Sequence, residues 1–184
     1  DGRDSLLLLH FMDVHLPYQE PRRYRRLFAD RARGGLGEKF HRGDVLRAKP
    51  LDEQGRQYVR DRYDNNIRFV DDELGRFLQE SVGEDDIVVF FSDHGEEFWE
   101  HRGFEHGHTL YDEVLKVPLV IKAPGWSPSR VTQPASLLDI VPTVLDLLEI
   151  PHQGLQGESL VPVATGQEGA QQRLAARKQG FGHP

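Results

Sequence analysis

The sequence predicts an α/β fold whose functional groups stand at the carboxyl ends of strands. Two short apolar runs, residues 5–12 and 87–91, each break off into an Asp and a His: Asp13 and His15 after the first, Asp93 and His94 after the second. Between them, Tyr63, Ile67, Val70, Leu74, Phe77 and Leu78 recur mostly three and four apart within residues 51–81, the stripe of an amphipathic helix. Buried strands alternating with covering helices make a mostly parallel sheet, and open sheets of this kind bind ligands beyond their strand ends.

The elements follow in order. Residues 5–12 are leucine-rich, which alone would allow a helix, but the run is short and ends in a polar turn with Pro17 and Pro21; it reads as a buried strand. Residues 24–33 are arginine-rich and read as a short surface helix. Residues 34–50 mix glycine and charge without periodicity, so they are expected to form an irregular excursion. It is either a substrate-side loop, with His41, Arg42 and Lys49 meeting an anion, or a linker with solvated charges. The helix of 51–81 carries Arg60, Asp64, Arg68, Asp72 and Glu80 on its polar side and should stop at Gly83. Residues 87–91, β-branched and aromatic, read as a strand buried on both faces. A short helix is expected in 109–115, a strand in 118–123 and a turn-rich connection in 127–134. Residues 136–148 read as a helix with Pro142 in its first turn and Asp139 in its cap region, and 154–160 as a polar turn. The tail, 167–184, is rich in Gln, Gly and Ala and is expected to be loosely held.

With 184 residues the chain has the length of one domain. Thirty acidic against 23 basic residues give a formal charge of −7, which suggests neither a nucleic-acid footprint nor a polybasic membrane patch. There is no cysteine, hence no disulfide, thiolate metal site or cysteine nucleophile within these residues. No apolar run approaches the roughly 18–20 residues that span a bilayer. The chain opens directly on a strand, without a signal-peptide pattern, as a fragment would.

The chemistry concentrates after residue 91. Four of the nine histidines, His94, His101, His106 and His108, fall within fifteen residues, among Asp93, Glu96, Glu97, Glu100 and Glu105. Such a density of metal-capable groups points to a metal site, against the competing reading of a solvated acidic loop with incidental histidines. Asp93 and His94 are the candidate ligands, and Gly95 is expected to free the backbone to turn.

Several motifs, taken together and in order, resemble the sulfatases of the alkaline phosphatase superfamily. They are Asp13-Val14-His15-Leu16-Pro17-Tyr18, Ser92-Asp93-His94-Gly95-Glu96, Glu105-His106-Gly107-His108-Thr109-Leu110-Tyr111 leading to Lys116-Val117-Pro118-Leu119, Ala123-Pro124-Gly125, Leu138-Asp139-Ile140-Val141-Pro142-Thr143 and Gln156-Gly157-Glu158-Ser159-Leu160. The resemblance implies an alkaline phosphatase-like α/β sandwich, a central mostly parallel sheet flanked by helices, incomplete at the N-terminus. It implies a sulfuric ester hydrolase acting on a small anionic sulfate ester, with a divalent metal, calcium first and magnesium or zinc as alternatives. Asp93 and His94 would be metal ligands. His15 would contact the ester near its leaving group, and either His106 or His108 would take the place where many sulfatases have a sulfate-facing lysine.

Such enzymes use a formylglycine made from a Cys or Ser in a Cys-x-Pro-x-Arg motif, with an upstream Asp-Asp metal pair, and no equivalent occurs in this sequence. Residues 1–166 are therefore expected to be the C-terminal portion of a sulfatase-like catalytic domain, the formylglycine lying outside them, and to lack turnover alone. A phosphoryl-transfer member of the superfamily (phosphodiesterase, phosphonate monoester hydrolase or phosphoethanolamine transferase) and a non-catalytic binding relic are the competing readings.

Overall fold

A computed structural model describes residues 5–28, 35–47 and 51–166. The expected tail, 167–184, and residues 29–33 of the expected surface helix lie outside the described residues. The chain forms two compact units. One comprises Asp1–Val82 with Glu96–Thr109, the other Gly83–Gly95 with Leu110–Pro184.

The first unit is built on α1 (Arg42–Arg47), α2 (Glu53–Ser81) and a hairpin of β2 (Glu97–Phe98) with β3 (Phe104–Glu105). Asp52 starts α2 by accepting the Gly55 N–H at 2.8 Å, the usual N-terminal cap. The helix ends through Val82, whose N–H reaches Leu78 O; Gly83 lies one residue further on, as a follower and not as the cap. The face that α2 buries most deeply is not the expected apolar stripe. Tyr58, Val59, Arg62, Asn65, Asn66 and Val70 are buried, whereas Ile67 is exposed and Leu74, Phe77 and Leu78 are half-buried.

Polar residues occupy that face because each finds partners. Arg62 donates to Glu20 Oε2 at 2.9 Å, to Tyr18 O, to Glu38 O and to the Tyr58 hydroxyl. Its Nε also lies 2.9 Å from Glu20 Oε1, an ionic contact without hydrogen-bond geometry. Asn65 donates to Arg25 O, and Asn66 to Glu20 Oε2. A buried ion pair is tolerated only when its remaining groups are bonded in this way. Beside it the core gathers Leu16, Tyr18, Leu36, Phe40, Val45, Leu51, Tyr58, Val59 and Phe104. Residues 36–45, expected as an irregular excursion, thus supply three core side chains and α1.

Residues 5–12 do not form the expected strand; Leu6 is 92% exposed and Leu8 79%. A strand needs a backbone partner, and none of the described residues pairs with this run. Residues 24–28 form turns, with the Leu27 N–H on Tyr24 O.

The second unit holds β1 (Val88–Phe91), α3 (Asp112–Leu115), β4 (Leu119–Lys122), a 3-10 turn (Leu137–Asp139), α4 (Ile140–Leu147) and α5 (Val161–Ala164). β1 pairs antiparallel with β4, Val88 opposite Lys122 and Phe91 opposite Leu119. Both pairings among the described residues are antiparallel, and Phe90 and Phe91 are about 40% exposed, so β1 is not covered on both faces. Pro142 sits in the first turn of α4, as expected, where its missing N–H costs nothing. Two of the quoted motifs lock this unit together. Asp139 accepts the N–H groups of Ser136 and Glu158, and Thr143 donates to Asp139 O while accepting the Leu160 N–H. Gly157 lies so close to Leu138 that an added Cβ would stand 1.8 Å from its carbonyl oxygen. Among the described residues no helix is long and apolar enough to cross a membrane.

Candidate active site

In the first unit the β2–β3 hairpin positions the histidines. Glu97 pairs with Glu105, so the next positions outward, Glu96 and His106, are cross-strand neighbours. His106 Nδ1 lies 2.9 Å from Glu96 Oε1, and the other oxygen of Glu96 accepts the Tyr18 hydroxyl at 3.2 Å. The ring of His15 meets that of His106 edge to face, centroids 5.0 Å apart. His15 Nδ1 lies 2.6 Å from Leu16 O. Burial, and next the neighbouring Glu96 carboxylate, push the Tyr18 hydroxyl far above the ordinary tyrosine range, so it stays a donor.

His108 is held differently. Its Nε2 lies 3.3 Å from Glu97 Oε2, and the fully buried Glu97 also accepts the N–H groups of His101 and Gly103 and the Thr109 hydroxyl. A Cβ on Gly103 would fall within 2.4–2.6 Å of His108 Nε2 and the Glu97 oxygens, so a larger residue there would push the His108–Glu97 contact aside. Trp99, at φ 70°, is pinned in its left-handed turn by stacking on Phe104 at 4.9 Å and by the guanidinium groups of Arg56 and Arg60.

In the second unit Asp93 and His94 stand just beyond β1, as expected. The His94 N–H donates to Asp93 Oδ1 at 3.0 Å, and His94 Nδ1 lies 2.8 Å from Gly95 O. His94 Nε2 then stands 3.7 Å from Asp93 Oδ1. The pair offers one carboxylate oxygen and one imidazole nitrogen, a mixed donor set that a divalent metal can accept. Gly95 serves a purpose other than the one expected. Its N–H donates to Val114 O at 2.7 Å, and a Cβ would stand 2.0 Å from Glu113 O. Close backbone approach, not a turn at positive φ, demands the glycine.

The structure therefore brings His15 to His106 and Asp93 to His94, and draws His108 to Glu97. Glu96 and Glu97 entered the sequence reading only as metal-capable groups and Tyr18 only within a motif; their pairing with one another and with His106 and His108 was not foreseen. Two adjacent glutamates, a glycine-containing turn and two nearby histidines were the signal: a hairpin in that register sets Glu96 opposite His106, while His108 reaches Glu97 from beyond the paired residues.

A family model of sulfatases matches residues 1–150. The chain belongs to the sulfatase family. Sulfatases generally use a divalent metal, and Asp93 and His94 are compatible with one. An uncharacterized sulfatase of Escherichia coli (strain K12), YidJ, is 29% identical over 172 residues, covering 86% of this chain and 34% of the relative. Arylsulfatase K of Danio rerio is 46% identical over 79 residues, 42% of this chain and 15% of that protein. The phosphonate monoester hydrolase of Agrobacterium radiobacter superposes with a TM-score of 0.60 at 33% identity, over 66% of this chain and 25% of that one. The fold is thus of the sulfatase and alkaline phosphatase type, and the chain spans about a third or less of the length of these relatives.

Proposed function

We propose that this chain supplies the histidine and metal-ligand side of a sulfuric ester hydrolase, residues 1–166 forming the C-terminal portion of its catalytic domain within a mostly parallel sheet. The observation that carries the reading is the meeting of His15 and His106, drawn from distant parts of the sequence onto one ring contact. A sulfate monoester is anionic, and its hydrolysis needs donors on the nonbridging oxygens and a proton for the departing alkoxide. His15 would serve the leaving oxygen and His106 a nonbridging oxygen; His108, tied to Glu97, serves the hairpin. In the second unit Asp93 and His94 would hold a divalent ion, calcium first and magnesium or zinc as alternatives, whose chemistry when bound is to withdraw charge from oxygens.

The likeness to a phosphonate monoester hydrolase favours a second reading, phosphoryl transfer at the same groups. The two are separated by assaying the protein expressed from its native coding region on 4-nitrophenyl sulfate and on a phenylphosphonate monoester. Sulfate hydrolysis should dominate, be abolished by chelator, and fall by roughly 100-fold or more in His106→Ala. Faster phosphonate turnover moves the assignment to phosphoryl transfer. Turnover unchanged in His106→Ala and Asp93→Ala overturns both.

A further inference from the structure

We propose that Glu96 is a positioning residue for His106, held in place by the Tyr18 hydroxyl; this deepens, and rests on, the hydrolase reading of the His15–His106 site. The Glu96 side chain is 5% exposed and that of His106 20%, so water does not compete strongly for their contact. A carboxylate only accepts hydrogen bonds, so the 2.9 Å contact on Oε1 requires His106 to donate from Nδ1. That fixes the neutral ring as the Nδ1–H tautomer and leaves Nε2 as its acceptor nitrogen. The carboxylate cannot swing away, because its second oxygen holds Tyr18, whose own ring is packed against Phe40 and Tyr63. Tyr18 is further anchored through its carbonyl, which accepts from the buried Arg62. The path from the core to the reactive ring is thus continuous: Arg62, Tyr18, Glu96, His106.

The pairing of Glu97 with His108 shows what a merely structural glutamate looks like in the same hairpin. Glu97 spends its oxygens on two backbone N–H groups and the Thr109 hydroxyl besides His108. The described bonds of Glu96 go to two side chains, Tyr18 and His106, and to no backbone group. Glu96 orients a ring, whereas Glu97 closes a turn.

The test uses the protein expressed from its native coding region, with ¹⁵N-labelled histidine. The unaltered protein should show the Nδ1–H tautomer for His106; the Nε2–H tautomer there overturns the proposal outright. Glu96→Gln should lower kcat by roughly 10–100-fold with KM changed less than about twofold, and should mix the His106 tautomers. Tyr18→Phe, which leaves the Glu96–His106 contact, should give a smaller fall in kcat of the same kind. Wild-type kcat and an unchanged tautomer in Glu96→Gln would overturn it. Where Glu96→Gln does not fold, the tautomer in the unaltered protein and the Tyr18→Phe kinetics decide. If the unaltered protein turns over neither sulfate nor phosphonate esters, the hydrolase reading fails, while the tautomer still reports on Glu96 independently.

Discussion

Residues 6–12 and residues 36–45 lie in the same unit and exchange their expected places. The first stretch is almost wholly apolar, with Leu6, Leu7, Leu8, Leu9, Phe11 and Met12 all exposed. The second is glycine- and charge-rich, yet Leu36, Phe40 and Val45 are core residues and α1 grows from it. Burial follows from available partners, not from the hydropathy of a segment. Phe40 packs edge to face on Tyr18 at 6.1 Å and against Tyr58 at 5.9 Å, while Arg62 and the Tyr58 hydroxyl bond the carbonyls of Glu38 and Gly37. The leucines of 6–9 have no such surface among the described residues. The boundary between the two behaviours falls just before Leu16 and Tyr18, which are buried.

The sharpest way to break this contrast is to truncate one side chain in each stretch of the 184-residue chain. Phe40→Ala removes a buried aromatic ring and should cost about 3–5 kcal/mol, read as a lower urea midpoint. Leu8→Ala removes an exposed side chain and should change stability by less than about 0.5 kcal/mol. Equal losses at the two positions would mean that the leucine run is packed after all. Repeating Leu8→Ala in the protein from the native coding region asks whether the run finds a covering surface there.

What could be read from the sequence divides along the same line. Periodicity located α2, and composition located β1, β4 and the helix after Asp139, because local patterns carry those signals. The face that α2 buries was not legible. Arg62, Asn65 and Asn66 look like solvent residues until Glu20, Tyr18 and Glu38 are brought to them, and nothing local announces those partners. At the candidate site Asp93, His94 and His15 were legible as residues standing beyond apolar runs. Which glutamate meets which histidine was not, since the hairpin register sets Glu96 opposite His106 while His108 reaches Glu97 from beyond the paired residues.

Gly95 extends the comparison to the second unit, as another position where a residue chosen for apparent freedom serves packing. Gly95→Ala would place a methyl 2.0 Å from the backbone oxygen of Glu113, which cannot yield as a flexible side chain would. The strain should cost about 1–3 kcal/mol and weaken the Gly95 N–H to Val114 O bond, seen as faster exchange of that amide. An unstrained Gly95→Ala variant would restore the turn explanation and show that the close approach is not needed.

The smallest effect sharpens the boundary at Tyr18. Burial first, and then the Glu96 carboxylate, hold its hydroxyl protonated well past the ordinary range. An unfolded tyrosine ionises near pH 10. Below that pH both states keep the proton, and the contribution of Tyr18 to stability is fully present. Above it the unfolded chain releases a proton that the folded chain retains, so stability falls by up to about 1.4 kcal/mol per pH unit. Tyr18→Phe removes one such group, although Tyr63, also raised chiefly by burial, keeps part of the slope. Urea midpoints measured between about pH 9 and 11 should therefore decline less steeply in Tyr18→Phe than in the unaltered chain. Identical slopes would place the Tyr18 hydroxyl in water and move the edge of the core past residue 18.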